Sequence, residues 1–345
     1  MKKNVLIIGA GLAGLTLAYQ FKKKGINFLL LDKGENFSSA IAAGLVNPMV
    51  FRRMNKSWRI DEFLPFATSF YKELESFLGI HFFNPITIQR CFSSLQEKKW
   101  WAERCKQNEY ASYLGSFYEE DPKLAHIHCE NGFGKVNAAF WVNANLFIEK
   151  FQQFYISNSQ LIYQEFNPNN FNTEKLIYNG NSYDAVVFCA GFLQKNMPFF
   201  ENIPIQQTKG QIMTVDTNEL PQNVSLNRKC FILPIGNNQF KVGATYEWHN
   251  NTTHTSEEGL KDLQQKLSNV FSGKYNVINQ EAGIRPTVVD RRPVLGESIK
   301  YPNIYIFNGL GTKGYLMAPK LSEEMAEFII YGKEPPIEYN SKRFS

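Results

Sequence analysis

A glycine-rich segment near the start of the chain has the spacing of a phosphate-binding loop. Gly9, Gly11 and Gly14 form a GxGxxG pattern that follows a short apolar run and opens a helical pattern. In such a loop the first glycine makes the tight turn, the second lets backbone N–H groups approach a pyrophosphate, and the third lets helix and strand pack closely. Asp32, 18 residues after the last glycine, can accept hydrogen bonds from an adenosine ribose. These residues predict a dinucleotide site, and the motif alone does not separate NAD from FAD.

A second glycine loop lies near the other end of the chain. Residues 308–314 read Asn-Gly-Leu-Gly-Thr-Lys-Gly and stand between an apolar run and a second helical pattern. Their N–H groups and the positive end of the helix dipole would stabilise a negative charge. A reduced flavin collects such charge along its N1–C2=O edge, and a donor cluster there acts as an oxyanion hole does. A nicotinamide has no comparable need, so the second loop favours FAD.

The elements that must position these loops follow from the apolar periodicity. Continuous apolar runs predict buried parallel strands, helical spacing predicts five helices, and an Asn-Gly pair predicts a hairpin turn. The predicted parallel strands are 4–8, 26–31 and 185–190, a further strand is 304–307, and antiparallel strands are predicted at 211–215, 230–233 and 239–244. The predicted helices are 12–24, 58–78, 143–156, 256–270 and 315–330, and the hairpin arms are 175–178 and 182–190 around Asn179-Gly180.

This alternation predicts an α/β fold class with two domains. The first is a Rossmann-like FAD-binding domain with a βαβ unit, assembled from residues 1–80, 141–204 and 281–345. The second is an α+β substrate domain with a largely antiparallel sheet, assembled from residues 81–140 and 205–280. A nucleotide-binding domain with a second domain inserted in pieces explains why helix–strand units are interrupted by antiparallel stretches.

Composition narrows the class of protein. The 345 residues carry a net charge of +5, which suits an anionic ligand without requiring nucleic acid. Five cysteines without a CxxC pair favour a reduced, cytoplasmic setting over a disulfide framework. No stretch approaches the roughly 20 apolar residues of a membrane span. We therefore expect no membrane partner.

With these motifs in place, the chain resembles the D-amino-acid oxidase and glycine oxidase superfamily of FAD enzymes over nearly its full length. Within that superfamily it is most similar to the oxidase half of the bifunctional tRNA 5-methylaminomethyl-2-thiouridine biosynthesis protein. The motifs that carry the resemblance are the two glycine loops, Ala42–Gly44, Val186–Gly191, Lys209–Gln211, Gly243–Tyr246, Gly283–Pro286, Ala318–Leu321 and Gly332–Pro336. The resemblance implies FAD, held non-covalently because no cysteine follows Cys230.

The resemblance also implies which residues contact the cofactor. The segment 42–46 should run along the flavin near N5, and the remaining contacts should come from the two loops and the ends of neighbouring strands. The expected cofactor-binding residues are Gly9, Gly11, Leu12, Ala13, Gly14, Asp32, Lys33, Ala43, Gly44, Leu45, Ala190, Gly191, Gly309, Gly311, Thr312, Lys313 and Gly314.

Three residues match positions that act on substrate in the superfamily. Arg285 matches an arginine that grips the substrate carboxylate bidentately; the alternative is a structural ion pair with Asp290. Lys313 stands where a lysine assists with the carboxylate, and the alternative is an exposed loop charge. Tyr246 should line the substrate side. At Phe231 the glycine oxidases carry a tyrosine, so glycine itself becomes a doubtful substrate.

Two further clusters have competing interpretations. His126 and His128 would share one face of a strand beside Cys129, but no partner cluster follows, so we expect no metal. Arg52, Arg53, Lys56 and Arg59 form a basic cluster directly after the flavin-contacting segment. A solvated face explains it, and a phosphate or carboxylate contact at the substrate mouth is the alternative.

The resulting hypothesis is oxidation of a C–N bond in a carboxylated amine, an amino acid or N-substituted glycine. Hydride would pass from Cα to flavin N5, the imine would hydrolyse, and oxygen or another acceptor would reoxidise the flavin. One alternative is a tRNA-modifying enzyme that removes the carboxymethyl group from a carboxymethylaminomethyl wobble uridine. A second alternative is a non-catalytic flavin-binding protein.

Overall fold

The computed structural model describes residues 3–35, 38–119, 126–248 and 252–345. Short 3₁₀ turns connect the longer elements at Phe51–Arg53, Asn108–Tyr110, Pro168–Asn170, Gly191–Asn196 and Ser341–Phe344. The α-helices of the described residues are α1 (Leu12–Lys23), α2 (Ser38–Ile41), α3 (Ile60–Leu78), α4 (Leu95–Cys105), α5 (Ala144–Ser157), α6 (Glu257–Ser268) and α7 (Gly314–Tyr331).

Within the described ranges, the strands form two large sheets and two small ones. In chain order they are β1 (Asn4–Ile8), β2 (Asn27–Asp32), β3 (Leu45–Val46), β4 (Met49–Val50), β5 (Asn55–Lys56), β6 (Phe83–Cys91), β7 (Leu114–Tyr118), β8 (Phe133–Val142), β9 (Leu161–Tyr163), β10 (Phe171–Asn172), β11 (Ile177–Tyr178), β12 (Asn181–Ser182), β13 (Ala185–Phe188), β14 (Gln206–Asp216), β15 (Val224–Asn227), β16 (Phe231–Gly236), β17 (Gln239–Gly243), β18 (Asn276–Thr287), β19 (Val294–Glu297) and β20 (Ile304–Asn308).

The first large sheet has six strands in the order β19–β20–β13–β1–β2–β9. All neighbours are parallel except the edge strand β19, which runs antiparallel to β20. Strand β1 is continuously apolar because both of its faces are covered. Val5 and Ile7 pack in the core that includes α1 and α7, whereas Leu6 and Ile8 pack with Phe166 on the other face. The predicted Rossmann-like, α/β architecture is confirmed.

The second large sheet follows the order β18–β14–β17–β16–β15–β6–β8–β3, with β7 paired to β8. Its pairs are antiparallel except β15 with β6. One face of this sheet packs under α6, where Met213 and Val242 contact a core shared with Leu263 and Leu267. The predicted substrate region with a largely antiparallel sheet is therefore confirmed.

The domain boundaries themselves stay a prediction. Strand β18 runs through the expected boundary at residue 281, so the strand that carries Arg285 belongs to the second sheet. Strand β3, from the first segment, also pairs into the second sheet through β8. Segments assigned to the FAD-binding domain therefore contribute β3 and the second half of β18 to the second sheet.

The predicted hairpin is correct in its turn and wrong in the length of its second arm. Strands β11 and β12 pair antiparallel around Asn179-Gly180, and Gly180 has a φ of +82° that suits glycine in such a turn. The second arm ends at Ser182. The apolar run 185–190 also predicts a buried parallel strand, and this is confirmed: residues 185–188 form β13, between β1 and β20. Four buried apolar side chains are better satisfied in the centre of a parallel sheet than in an exposed ribbon.

The expectation that the cysteines form no disulfide is wrong for one pair. Cys91 and Cys129 are joined by a disulfide, with their Cα atoms 5.3 Å apart. Cys91 ends β6 and Cys129 precedes β8, and these strands are antiparallel neighbours, so the fold brings together two cysteines that are 38 residues apart. Cys105, Cys189 and Cys230 are free. In the described ranges, no helix combines the length and apolarity needed to cross a membrane.

Candidate active site

A cavity of about 580 Å³ opens between the two large sheets. Both glycine loops contribute to its wall, although they lie at opposite ends of the chain. An ideal Cβ added at Gly314 would lie 3.0 Å from a methyl carbon of Leu12, so the loops are direct neighbours. Of the predicted site residues, the cavity is lined by Gly9, Gly11, Leu12, Ala13, Asp32, Lys33, Ala43, Gly44, Leu45, Ala190, Gly191, Tyr246, Arg285, Gly311, Thr312, Lys313 and Gly314.

Two predicted cofactor residues, Gly14 and Gly309, do not line the cavity. A Cβ at Gly14 would lie 1.9 Å from the carbonyl oxygen of Gly9, so this glycine lets α1 pack on the preceding loop. Gly309 has a φ of +74° and turns the chain out of β20 towards Gly311. Both residues shape the loops, and neither forms part of the cavity surface.

The first loop presents backbone to the cavity because side chains have no room. Gly9 has a φ of +105°, and an added Cβ would lie 2.4 Å from the carbonyl oxygen of Cys189. Gly11 is the N-cap of α1 and offers no side chain to satisfy the first N–H groups of the helix. Unsatisfied N–H groups and the helix dipole attract an anion such as a pyrophosphate.

Asp32 is the last residue of β2 and lies beside this loop. Its carboxylate accepts hydrogen bonds from the N–H of Ala10 at 2.6 Å and of Gly34 at 2.7 Å. Burial raises the pKa of the Asp32 carboxyl above its ordinary value, and these two N–H groups oppose that rise. Lys33 pairs with Glu35 at 3.2 Å on the rim. Asp32 is thus held rigidly at the cavity with lone pairs available to a ribose.

The segment after β2 links the first loop to the strand that carries Arg285. Ser39 Oγ accepts a hydrogen bond from Leu12 N–H at 3.0 Å. Ser38 Oγ donates to the carbonyl of Ile284 at 2.7 Å and accepts from its N–H at 3.1 Å. Gly44 has a φ of +69°, and an added Cβ would lie 1.9 Å from the carbonyl of Val142. The segment 38–46 is therefore pinned along one wall of the cavity.

Arg285 projects from β18 into the cavity across the backbone of β14. A Cβ at Gly210 would lie 2.0 Å from Arg285 Nη2, so only glycine leaves room for the guanidinium. Nη1 donates to the carbonyl of Thr245 at 3.3 Å, and the ring of Tyr246 lies 4.7 Å from the guanidinium carbon. Burial lowers the pKa of Arg285 from its ordinary value.

Arg285 has no acidic partner in the part of the chain that the structure describes. The alternative partner, Asp290, is bound instead by Arg343 at 2.8 Å. A guanidinium that is desolvated without a counter-ion costs free energy. Its free N–H donors match the geometry of a carboxylate. The guanidinium therefore presents free donors and an unpaired positive charge on the cavity wall, among the described residues.

Lys313 lies on the same cavity wall, at the N-terminus of α7. Its ammonium donates to the carbonyl of Asn47 at 3.2 Å and to Ser57 Oγ. Burial lowers the pKa of Lys313 to about 8. The exposed loop charge that was the alternative does not describe this residue, because its ammonium is partly buried. An ammonium has three donors, so one remains after these two bonds.

The end of the cavity near Tyr246 combines apolar walls with an opening to solvent. Phe231 and Ile212 pack over Gly243, where an added Cβ would lie 2.7 Å and 2.6 Å from their side chains. Tyr246 is 57% exposed and stands at the entrance. Asn227 and Lys229, which sequence reasoning missed, also line this end. They lie at the turn after β15, and no motif in the sequence distinguishes them.

The cavity also has lining residues beside Asp32 that sequence reasoning missed. Gln164, Glu165 and Phe166 follow the carboxyl end of β9. Ligands of open parallel sheets bind at the carboxyl ends of the strands. That rule could have identified these residues once β9 was assigned next to β2.

The basic cluster after the segment 42–46 and the histidine pair beside Cys129 mostly make contacts within the protein. Lys56 pairs with Asp61 at 2.6 Å, and Arg59 pairs with Glu324 at 2.5 Å. Arg52 and Arg53 are exposed in the short turn after Val50, which lines the cavity.

In the histidine cluster, Cys129 forms the disulfide. His126 lies 3.7 Å from Glu219, and no group of metal-ligating side chains was found in the described residues.

These features fit a flavin dinucleotide. Two helices, α1 and α7, begin at the cavity without a side-chain cap, so their N–H groups can meet negative charge at two places. Three glycines bring backbone close where side chains would collide or strain the chain: Gly9, Gly44 and Gly311. One helix terminus suits a pyrophosphate, and the other suits the charge that a flavin gains on reduction.

Comparisons with known proteins agree with this geometry. Similar solved structures include a glycine oxidase from Geobacillus kaustophilus, with a TM-score of 0.81 and 18% identity over 100% of this chain and 98% of that one. They also include an iminodiacetate oxidase from Chelativorans sp. BNC1, with a TM-score of 0.79 and 18% identity over 97% and 98%. At these identities the likeness shows the fold alone.

A curated relative is the tRNA 5-methylaminomethyl-2-thiouridine biosynthesis bifunctional protein of Idiomarina loihiensis, 23% identical over 94% of this chain. The chain spans 55% of the length of that relative. The family model described as FAD dependent oxidoreductase matches residues 4–328. Because that match covers nearly the whole chain, the protein belongs to the family of FAD-dependent oxidoreductases.

Proposed function

We propose that this FAD-dependent oxidoreductase oxidises the C–N bond of a small amine that carries a carboxylate. The observation that carries the proposal is the Arg285 guanidinium, which is desolvated on the cavity wall and bonded to only a backbone carbonyl and an aromatic ring among the described residues. A ligand carboxylate would supply the missing charge. Glycine and iminodiacetate, in the names of the two similar structures, are both carboxylated amines.

The residues of the chain bind and orient this substrate. Arg285 would bind both carboxylate oxygens. Lys313 would add a second positive charge from the second glycine loop. Tyr246 covers the guanidinium and narrows the entrance. FAD, held by the two glycine loops, would supply the acceptor for the hydride that leaves the substrate Cα. No side-chain base is required if the amine binds neutral, so the protein contributes orientation and electrostatics.

The apolar wall favours a substituted amine over glycine itself. Phe231 offers no hydroxyl where it packs beside Ile212, so a small polar amine would gain no hydrogen bond from this wall. An N-substituent would instead bury apolar surface against it, at roughly 25 cal/mol per Å². N-substituted glycines are therefore the substrates that the cavity supports best.

The test is spectroscopic and uses the purified holoenzyme. The oxidised flavin is titrated anaerobically with N-substituted glycines, D-amino acids and glycine, and bleaching of its visible absorption is followed. We expect an N-substituted glycine to bleach the flavin fastest. The proposal fails if no carboxylated amine reduces the flavin. Acid precipitation of the protein should release the flavin into the supernatant, because we propose that its attachment is non-covalent.

A second candidate substrate is the carboxymethylaminomethyl arm of a tRNA wobble uridine. The relative from Idiomarina loihiensis supports it, and so do exposed Arg52 and Arg53 beside the cavity mouth. This arm contains the same N–CH2–carboxylate group, and tRNA as the substrate would place the enzyme in the cytoplasm. Incubation with tRNA from a strain that lacks this step, followed by nucleoside analysis, separates the two candidates: only the tRNA enzyme leaves an aminomethyl product.

A further inference from the structure

The short segment 244–247 has one face towards the cavity and one face away from it. Tyr246 points to the cavity and covers Arg285. Thr245 and Glu247 point to the opposite side, because successive side chains of an extended segment alternate. The same division holds in the neighbouring strand β14, where Gly210 faces Arg285 and Lys209 and Gln211 face away. The cavity face is thus backed directly by a second, buried layer of polar residues.

A dense hydrogen-bond network occupies this hidden face. Glu247 Oε1 accepts from Gln211 Nε2 at 2.7 Å and from Thr245 Oγ1 at 3.1 Å. Thr245 Oγ1 in turn accepts from the N–H of Gln211 at 2.9 Å. Gln211 is fully buried, and its Oε1 accepts from Gln280 Nε2 at 2.8 Å and from the N–H of Ser256 at 3.0 Å. Networks of this kind hold a single backbone arrangement when their members are satisfied.

The network also brings the charge of Glu247 close to a buried lysine. Lys209 is only 1% exposed, and its ammonium lies 3.9 Å from Glu247 Oε2. The backbones of the two residues form a pair of hydrogen bonds, each 3.0 Å long. Glu247 is separated from Tyr246 by one peptide bond, yet its charge is turned towards Lys209 and away from Arg285. Arg285 therefore keeps its positive charge available to a ligand.

We propose that Glu247 is a positioning residue for the carboxylate-binding pair Arg285 and Tyr246. It acts through Thr245, whose side chain bonds to Glu247 on one face and whose carbonyl accepts from Arg285 on the other. Loss of the network would let the segment shift and move both substrate-facing groups. This inference rests on the proposed function, because it concerns the same carboxylate.

The test measures binding of propionate, a carboxylate without an amine, through its effect on the absorption of the oxidised holoenzyme. Glu247→Ala and Thr245→Val should each raise the Kd for propionate about tenfold, which corresponds to about 1.4 kcal/mol. The KM for the amine should rise similarly, and kcat should change less than about threefold. Thr245→Ser keeps the hydroxyl and should retain the wild-type Kd, which keeps the test decisive if Glu247→Ala does not fold.

Glu219→Gln is the matched control. The side chain of Glu219 is 28% exposed against 26% for Glu247, and it binds the N–H of Lys274 beyond the other end of the β14–β18 pair. This variant should leave the propionate Kd unchanged. Wild-type affinity in both Glu247→Ala and Thr245→Val overturns the positioning role and leaves the proposed function intact. If the wild-type holoenzyme itself does not bind propionate, the proposed function fails and this inference fails with it.

Discussion

Replacing Arg285 by methionine distinguishes a substrate-binding arginine from a structural one. Methionine keeps an unbranched side chain of comparable reach in the space above Gly210 and removes the charge. In the described residues Arg285 has one long hydrogen bond, 3.3 Å to the carbonyl of Thr245, and one aromatic contact, to Tyr246. These contacts are worth about 1–2 kcal/mol together, and relief of the desolvated charge offsets them.

The expected magnitudes follow from this balance. The free energy of unfolding should change by no more than about 1 kcal/mol, whereas loss of one partner from a buried structural ion pair costs about 3–5 kcal/mol. A bidentate, charge-assisted carboxylate contact contributes about 3 kcal/mol. The Kd for propionate, and the KM for a carboxylated amine, should therefore rise about a hundredfold.

Two measurements on the same preparation distinguish a substrate-binding Arg285 from a structural one. Urea unfolding gives the free energy of unfolding, and flavin absorption gives the propionate Kd. Arg343→Met is the control, because Arg343 holds Asp290 at 2.8 Å: it should lose about 1–2 kcal/mol of stability and bind propionate normally. The reasoning is refuted if Arg285→Met unfolds several kcal/mol more easily while its propionate Kd stays at the wild-type value.

Three further predictions test the loops and the second cation. Gly210→Ala places a Cβ 2.0 Å from Arg285 Nη2, so the propionate Kd should rise about tenfold with the flavin still bound; calorimetry showing an unchanged Kd would contradict this. Gly14→Ala places a Cβ 1.9 Å from the Gly9 carbonyl and should cost about 3 kcal/mol of stability and the flavin absorption, whereas full flavin content would show that the packing is not required. Burial lowers the pKa of Lys313 to about 8, so its charge is present below that pH and lost above it. The propionate affinity of the wild type should fall as pH rises through 8, and the affinity of Lys313→Met should show no such step; equal profiles would exclude Lys313 from the site.

Local patterns in the sequence were sufficient to predict the parallel strands and the two glycine loops. The runs that became β1, β2 and β20 are apolar and short, and each is followed by a glycine loop or an acidic residue. Such patterns depend on neighbours within about 20 residues, which a sequence displays directly. The same holds for α7, whose start at Gly314 follows from the glycine loop and the helical spacing.

Contacts between distant segments were not predictable in this way. The disulfide between Cys91 and Cys129 depends on the antiparallel pairing of β6 with β8. The apolar run 185–190 predicts a buried parallel strand, but its position between β1 and β20, which come from opposite parts of the chain, depends on tertiary pairing. The Glu247 network depends on β14, the segment 244–247 and the start of α6 lying against one another.

By itself, the sequence determined the residue types that can meet a flavin dinucleotide and a carboxylate, because glycine spacing, Asp32 and Arg285 are readable one motif at a time. Only the tertiary structure decided that Arg285 is without a carboxylate partner among the described residues and that Asp290 belongs to Arg343. Whether a charge is paired or free depends on which side chains the folded sheets bring within a few ångströms. These distances depend on how the folded chain packs, and the order of the residues alone does not reveal them.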